Sequence, residues 1–513
     1  MKIFLRLLRW AVVLASLLAA VVLVHLAVVW WNDPKDALKV PRAGVEDAGR
    51  FSHGQPAEVV KVKCKLEEAE KQLSELILRC VAEKRHLAIA GAKHSMGGQT
   101  MSKHDAVVVD MLGLRHMCLD DKKKELTVGA GALWKEVIPY LREQKHAVAV
   151  MQSNSDFSVG GSLSVNCHGW QHNSGPIAST VRSLRVITAD GQVHVCGPDT
   201  EPELFRLVLG GYGLFGIITE ATLAVVEDEI YVPRTVKVTP DKYNCVFHEL
   251  TTGDEAQKRV GMAYGRINTA PLGFLQSGTI TLLERDAQVT EAGEPNAFMQ
   301  SLKRLVFRGG VGSAFGKQLR WIAETQVGES AGGFLPGKKP AQWRHDIMAE
   351  PAALFGNHDP SSREILHEYF IPAGKLEAFL QAMRPVVKEH RPDLLNITVR
   401  NVMPDNITFL NYTRDLLDQN KPAEVFGLVM LFHLQPGDEA DAAMGKFTVA
   451  MIDAALSCGG TYYLPYRLHA TPRQLRAAYP QAPEFFRLKR QRDPNAVFTN
   501  QWFEQYASQP ELQ

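Results

Sequence analysis

The chain has 513 residues, 45% of them hydrophobic and 22% charged, with 57 Lys and Arg against 56 Asp and Glu. That length asks for more than one core, because a domain usually holds about 100–200 residues. A net charge of +1 removes the electrostatic case for a nucleic-acid partner. The seven cysteines (Cys64, Cys80, Cys118, Cys167, Cys196, Cys245 and Cys458) are scattered without a Cys-x-x-Cys pair. Their spacing excludes a ribbon-type zinc site, and an odd count leaves at least one thiol unpaired within the chain. No metal site is expected.

From Trp10 to Trp31 there is no acid, Lys or Arg, and His25 is the one ionisable residue. As a helix this stretch would span roughly 33 Å, enough for the hydrocarbon core of a bilayer, with tryptophans suited to both interfaces. A cleaved leader is the rival reading, since Lys2, Arg6 and Arg9 precede it. An h-region is shorter than this run, so residues 10–31 are expected to be a retained anchor. Basic residues tie on its two sides; the expectation is a catalytic region on the non-cytoplasmic side. Residues 32–54 form a polar linker.

A first globular region is expected over residues 55–230. Leu66, Ala69, Leu73, Leu76, Ile77 and Cys80 share one helical face. Strands are predicted at His86–Ala90, Ala106–Asp110 and Glu125–Gly129, a helix at Leu133–Leu141, and a strand at Ala147–Val150. Asp190-Gly191 between two apolar runs marks a hairpin. A helix at Glu201–Leu209 and a strand at Ile217–Val226 follow. This mixture is of the α+β class. From residue 231 to 457 a second α+β unit is predicted, an antiparallel sheet with helices on one face. Its strands are Thr235–Val238, Gly261–Ile267, Thr279–Leu283, Tyr369–Ile371, Ile397–Val402 and Val425–Leu434. Its helices are Ala297–Arg308, Leu376–Glu389 and Ala440–Leu456, and Gly328–Pro340 reads as a mobile loop beside a cleft.

The stretch most suggestive of chemistry runs from Ser153 to Gly169, rich in serine and glycine and placed just after a strand. It reads as a turn-rich loop whose N–H groups can turn inward together on a diphosphate. A second glycine-rich loop, Gly91 to Gly98, also follows a strand. Gly211-Tyr-Gly213-Leu-Phe-Gly216 matches the dinucleotide fingerprint, but a helix precedes it and a strand follows, the reverse of the order a Rossmann site needs.

Gly91-Ala-Lys-His94-Ser95, Val159-Gly160-Gly161-Ser162-Leu163, His168-Gly169 and Gly213-Leu-Phe-Gly216-Ile-Ile-Thr-Glu220 together resemble the FAD-binding domain of the vanillyl-alcohol oxidase/p-cresol methylhydroxylase superfamily. Arg492-Asp493-Pro494-Asn-Ala-Val-Phe498-Thr-Asn500 resembles that family's closing segment. The resemblance implies a two-subdomain PCMH-type FAD-binding domain over residues 55–230, a substrate or cap domain over 231–457, and a return to the FAD domain over 458–513. Within the superfamily, the His168-Gly169 segment, Glu368-Tyr-Phe-Ile-Pro372 and Gly459-Gly-Thr-Tyr-Tyr463 are similar to decaprenylphosphoryl-ribose oxidases. Two departures stand out. Tyr466 occupies a position where those oxidases carry lysine, and His94 matches the flavin-linking histidine of alditol and gulonolactone oxidases.

The resemblance implies FAD contacts from Gly91, Ala92, Lys93, His94, Ser95, Ser153, Ser158, Gly160, Gly161, Ser164, Cys167, His168, Gly169, Gly216, Ile218, Tyr463 and Asn500. His94 is expected to make a covalent or close flavin contact, the alternative being a loop histidine satisfied by backbone, and Lys93 could simply face solvent. Cys167 is expected to be a small packed residue rather than a second linkage. The catalytic candidates are His168, to orient the ring or accept a hydroxyl proton, Arg400, to hold a substrate oxygen or balance charge, and Arg467, as a replacement for the absent lysine. The expected activity is that of a membrane-anchored FAD-dependent oxidoreductase. It would pass a hydride from the alcohol carbon of a polyol, sugar or lipid-linked sugar to flavin N5, with an acceptor that the sequence leaves open. Alternatives are a lipid reductase of the sterol side-chain type and a non-catalytic binding protein on the same fold.

Overall fold

The computed structural model describes residues 2–36, 38–39, 42–104, 106–293, 297–327, 341–349 and 355–513. The predicted loop Gly328–Pro340 lies outside them. The helix with which the chain begins, Lys2–Asn32, takes in the apolar run, and Arg6–Asn32 has a mean hydropathy of 2.9 with none of its most apolar window buried. By length and composition it can cross a membrane, a test that signal sequences also pass.

Among the described residues four sheets follow, the smallest being the two-stranded pair Arg414–Asp415 and Lys421–Pro422. The first is parallel, in the order Glu58–Lys61, Ala106–Asp110, His86–Ala90. Helix Leu66–Glu83 covers it with the predicted stripe of Ala69, Leu73, Leu76, Ile77 and Cys80, all buried. The second sheet is antiparallel and six-stranded, centred on the long strand Ile217–Glu227. Val181–Ile187 and Val193–Cys196 pair there through the Asp190-Gly191 turn, where Gly191 adopts a φ of 76°.

The third sheet is antiparallel and eight-stranded, ordered Gln342–Trp343, Ile230–Val238, Gly278–Glu284, Val260–Ile267, Asp393–Val402, Val425–Leu434, Arg363–Pro372 and Thr461–Tyr462. Alternation along Arg363–Pro372 sends successive side chains to opposite faces. Tyr369 and Ile371 join a core with helices Leu376–His390 and Asp438–Ser457, whereas Phe370 enters the core that also holds Leu163, Cys167 and Tyr463. Glu368 shares the face of Phe370. The sheet therefore presents one face to its own helices and the other to the glycine-rich half.

Several elements are longer than the sequence pattern indicates. Strand Ile230–Val238 begins before the predicted Thr235, and Asp393–Val402 before Ile397. Between residues 153 and 169 the predicted loop contains a short helix, Val159–Ser164. Two glycines oppose it by about 1 kcal/mol each. The Ser158 hydroxyl caps it by accepting from Gly161 N at 3.3 Å, and Val159, Ser162 and Leu163 are buried beneath it. Ser162 Oγ also receives the indole N–H of Trp134 at 2.8 Å. Cap and packing outweigh propensity.

His367, on the helix-covered face, is held by burial at a pKa of about 3, below the usual 6.5, with the charge of His469 adding in the same direction. The unfolded chain takes up a proton near pH 6.5 that the folded chain refuses. The stabilisation is thus complete above pH 6.5 and is lost as pH falls toward 3, by a few kcal/mol at most. Tm measured from pH 7.5 to 4.5 should fall less steeply in His367→Leu than in the unaltered chain.

Candidate active site

The two glycine-rich segments meet through the Ser158 hydroxyl and through a stack of His94 on Phe157. Strand His86–Ala90 ends at Gly91, and Ala92 N donates to Ser158 Oγ at 3.3 Å. A β-carbon on Gly91 would lie 2.2 Å from that oxygen, so glycine is required by close approach. Gly160 and Gly161 lie in the capped helix, where Gly160 N donates to Ala130 O at 2.8 Å. Ser164 Oγ donates to Gly160 O at 2.8 Å. Gly169 packs on the Met151 carbonyl, Gly216 precedes strand Ile217–Glu227, and Ile218 is buried on that strand.

Lys93 does not face solvent. It adopts a φ of 64°, is buried, and places Nζ 3.8 Å from Asp110 Oδ2. The turn directs Lys93 inward, and Asp110, at the end of the adjacent parallel strand, supplies the counter-charge. The His94 ring stacks on Phe157 with centroids 4.2 Å apart. Burial lowers its pKa below the usual histidine value, only partly offset by Asp156.

His168 lies at the meeting of the sheets. Its Nε2 is 2.7 Å from Glu368 Oε1, both side chains being almost wholly buried. The contact is a close approach of carboxylate and imidazole rather than an aligned hydrogen bond, and Nδ1 has no partner among the described residues. Phe370, Tyr412 and Tyr463 surround the ring at centroid distances of 5.2, 5.9 and 6.1 Å. The Tyr466 hydroxyl donates to Glu368 Oε2 at 3.2 Å. Burial, then the charge of Glu368, pushes the Tyr466 hydroxyl well above its usual range, so it remains a donor. A tyrosine here does not supply the charge of the lysine found in the decaprenylphosphoryl-ribose oxidases.

Arg400, on strand Asp393–Val402, donates from Nη1 to the His168 carbonyl at 3.2 Å and from Nη2 to Ser153 Oγ at 2.8 Å. Tyr463 donates its hydroxyl to the Val165 carbonyl at 2.8 Å, at the end of the capped helix. Asn500 is engaged twice, donating to Tyr212 O at 2.9 Å and capping helix Gln501–Tyr506. It ties the carboxyl-terminal segment to the Gly211–Gly216 loop. Burial pushes the Cys167 thiol up to about 12, so it stays a thiol with no nucleophilic character at neutral pH.

Arg467 is placed elsewhere. Its guanidinium grips Asp441 at 2.6 and 3.1 Å and donates to Ser52 Oγ at 2.7 Å. The residue before it, not Arg467 itself, reaches the His168–Glu368 pair. Glu368 has no part in the residue-by-residue expectations, although one signal was present: an acid inside the apolar strand that runs from Ile365 to Ile371.

Buried polar atoms without partners gather around these loops. Among the described residues they include Ser95 Oγ and Thr100 Oγ1 on one side, and His168 Nδ1, Trp170 Nε1, both ring nitrogens of His172 and Arg400 Nε on the other. Such atoms are nearly always satisfied in native proteins. A polar, extended ligand lying between the two loops would supply partners to the atoms that face it, and FAD fits that description.

Residues 66–197 match the family model described as an FAD binding domain. Over 422 residues the chain is 22% identical to decaprenylphosphoryl-beta-D-ribose oxidase of Mycolicibacterium smegmatis, covering 79% of this chain and 85% of that protein. The chain carries an FAD-binding domain and is similar to PCMH-type FAD-binding oxidoreductases. FAD is its cofactor. It is also 33% identical over 175 residues to cytokinin dehydrogenase 2 of Arabidopsis thaliana, covering 34% of this chain and 33% of that one. Cytokinin dehydrogenase 3 of Oryza sativa subsp. japonica is 30% identical over 213 residues, covering 40% and 38%. The match spans 33% and 38% of the length of these two cytokinin dehydrogenases.

The Gly91–Ser158 approach makes a direct prediction. Gly91→Ala should displace Ser158, uncap the Val159–Ser164 helix and open both loops, lowering the flavin absorbance of purified protein at unchanged far-ultraviolet circular dichroism. Adding Ser158→Gly to Gly91→Ala removes the clashing oxygen and should recover part of the flavin.

Proposed function

We propose that this chain is a membrane-anchored FAD-dependent oxidoreductase that oxidises an alcohol carbon of a polyol, sugar or lipid-linked sugar. The observation that carries the proposal is His168, with Nδ1 free inside an aromatic enclosure and Glu368 against Nε2. Bound FAD supplies the hydride acceptor. His168 takes the hydroxyl proton at Nδ1, and the Glu368 carboxylate stabilises the charge the ring then bears. Arg400, fixed by the His168 carbonyl and Ser153, keeps Nε to orient a substrate oxygen. Phe370, Tyr412 and Tyr463 exclude water around the imidazole.

The domain division proposed with this activity is an FAD-binding part over residues 55–230 and 458–513 and a substrate part over 231–457. Similarity to a decaprenylphosphoryl-beta-D-ribose oxidase across 79% of the chain supports a sugar alcohol as the reacting group. We further propose a covalent flavin at His94, whose lowered pKa leaves its imidazole unprotonated at neutral pH, as bond formation requires. The catalytic region is assigned to the non-cytoplasmic side of the anchor, and the electron acceptor is left unassigned.

Anaerobic titration tests the activity. A sugar, polyol or lipid-linked sugar from a panel should bleach the yellow protein, and a panel in which no alcohol does so refutes the reading. With the bleaching substrate, His168→Ala should slow flavin reduction by about 10²–10⁴-fold with bound flavin retained, and Glu368→Gln by a smaller factor. After acid precipitation the colour should stay in the pellet and pass to the supernatant in His94→Ala. Colour in the supernatant of the unaltered protein would remove the covalent link alone.

A further inference from the structure

The amino-terminal helix does not stand apart from the rest of the chain. Val22, His25, Leu26 and Val29 are partly shielded while their neighbours are exposed, the i, i+3, i+4, i+7 pattern of one helical face. That face rests on two helices of the second half, Ala297–Arg308 and Ala314–Ile322, which are joined by the turn at Gly309–Ser313. His25 Nε2 lies 3.1 Å from Gly309 O, and its ring meets Phe315 edge-on at 5.2 Å. At the helix end, Arg304 holds Asp33 with two bonds of 2.7 and 2.8 Å.

These contacts have a consequence for depth. About 20 residues are needed to cross the hydrocarbon core. Counted from Trp10, the first residue after Arg9, they reach Val29, so His25 falls inside the span. Val22 lies about 15 Å before Asn32 along the axis. Whatever packs on His25 and Val22 therefore enters the bilayer with them.

The surface of the helix pair suits that placement. Phe315, Gln318 and Ile322 fall on one face of the second helix, and Phe315 and Ile322 are exposed. Leu272, 74% exposed, is tied to that face through its N–H to Gln318 Oε1 at 3.2 Å. Phe298, 72% exposed, begins the first helix. Lys317, Arg320 and Arg308 are instead held by Asp393, Glu324 and Glu364. Those three charges are paired within the protein, Lys303 of the first helix is exposed, and large apolar side chains are left outward. A soluble face shows the opposite arrangement.

We propose that helices Ala297–Arg308 and Ala314–Ile322 dip into one leaflet of the membrane beside the anchor, with Leu272, Phe298, Phe315 and Ile322 in contact with acyl chains. The occupant of this surface is the lipid bilayer. The inference rests on the reading of the amino-terminal helix as a retained membrane span. Insertion also gives the His25 imidazole a carbonyl partner at depth, where an unpaired polar group is costly.

The test uses the full chain in nanodiscs of phosphatidylcholine and phosphatidylglycerol. In a background of Cys64→Ser, Cys118→Ser and Cys245→Ser, nitroxide labels are placed at Phe298→Cys and Ile322→Cys, at Val12→Cys in the anchor, and at the exposed residue Leu417→Cys. Relaxation by oxygen and by a water-soluble nickel chelate is compared. Labels at 298 and 322 should follow 12, with oxygen contact several-fold above nickel contact, while 417 shows the reverse. Labels at 298 and 322 that follow 417 while 12 remains in lipid would overturn the insertion and leave the anchor standing. A label at 12 that is itself open to nickel removes the anchor and the insertion together, whereas flavin bleaching is indifferent to both results.

Discussion

A carboxylate buried in an apolar strand is tolerated only against a cation or a donor, because an unpaired charge there costs several kcal/mol. Glu368 meets that constraint from across the molecule. Its partners are His168, from the glycine-rich half, and Tyr466, from the carboxyl-terminal segment. One side chain thus fixes the distance between the eight-stranded sheet and the capped helix. Arg400 reinforces the arrangement from the next strand but one, bonding the carbonyl of the same histidine. The enclosure of Phe370, Tyr412 and Tyr463 is a by-product of that docking, since Phe370 shares the strand face of Glu368 and Tyr463 N donates to the Glu368 carbonyl at 3.0 Å.

Much of this architecture was legible in the residues. Continuous apolar runs gave His86–Ala90, Ala106–Asp110 and Val425–Leu434, and Asp190-Gly191 gave its hairpin, because those signals are local. The order of elements around Gly211–Gly216 was legible too, with a helix before and a strand after. What depends on distant partners was not. The helix Val159–Ser164 opposes its own glycines and exists because Trp134 and Ser158 hold it. Lys93 looks like a solvent residue until Asp110 is placed beside it. Arg467 could be drawn toward the site only while Asp441 and Ser52 were unknown.

The substrate side is read from different physics. Tyr466 keeps its proton, so charge near His168 comes from Glu368 and Arg400 rather than from a lysine ammonium. Arg400 follows Asn396 and Thr398 on alternate positions of one strand, and so on one face. Asn396 Oδ1 accepts from Arg320 at 2.7 Å, and Arg320 belongs to helix Ala314–Ile322, which packs beside the amino-terminal helix. About 13 Å of strand separates Asn396 from Arg400, and this stretch runs from the helix pair to the His168 enclosure.

The carboxyl-terminal segment also bears on how the molecule is made. Leu87 N bonds the Val497 carbonyl, and His86 bonds that of Ala496, a separation of 410 residues. Tyr463, Tyr466 and Asn500 all come from the same late stretch. At about 5–20 residues per second a ribosome needs roughly 20–80 s to bring the two ends together. Until then the first sheet lacks its last neighbour and the histidine enclosure lacks a wall. The enclosure around His168 is accordingly complete only once the carboxyl-terminal segment has been made and has folded back onto the first sheet.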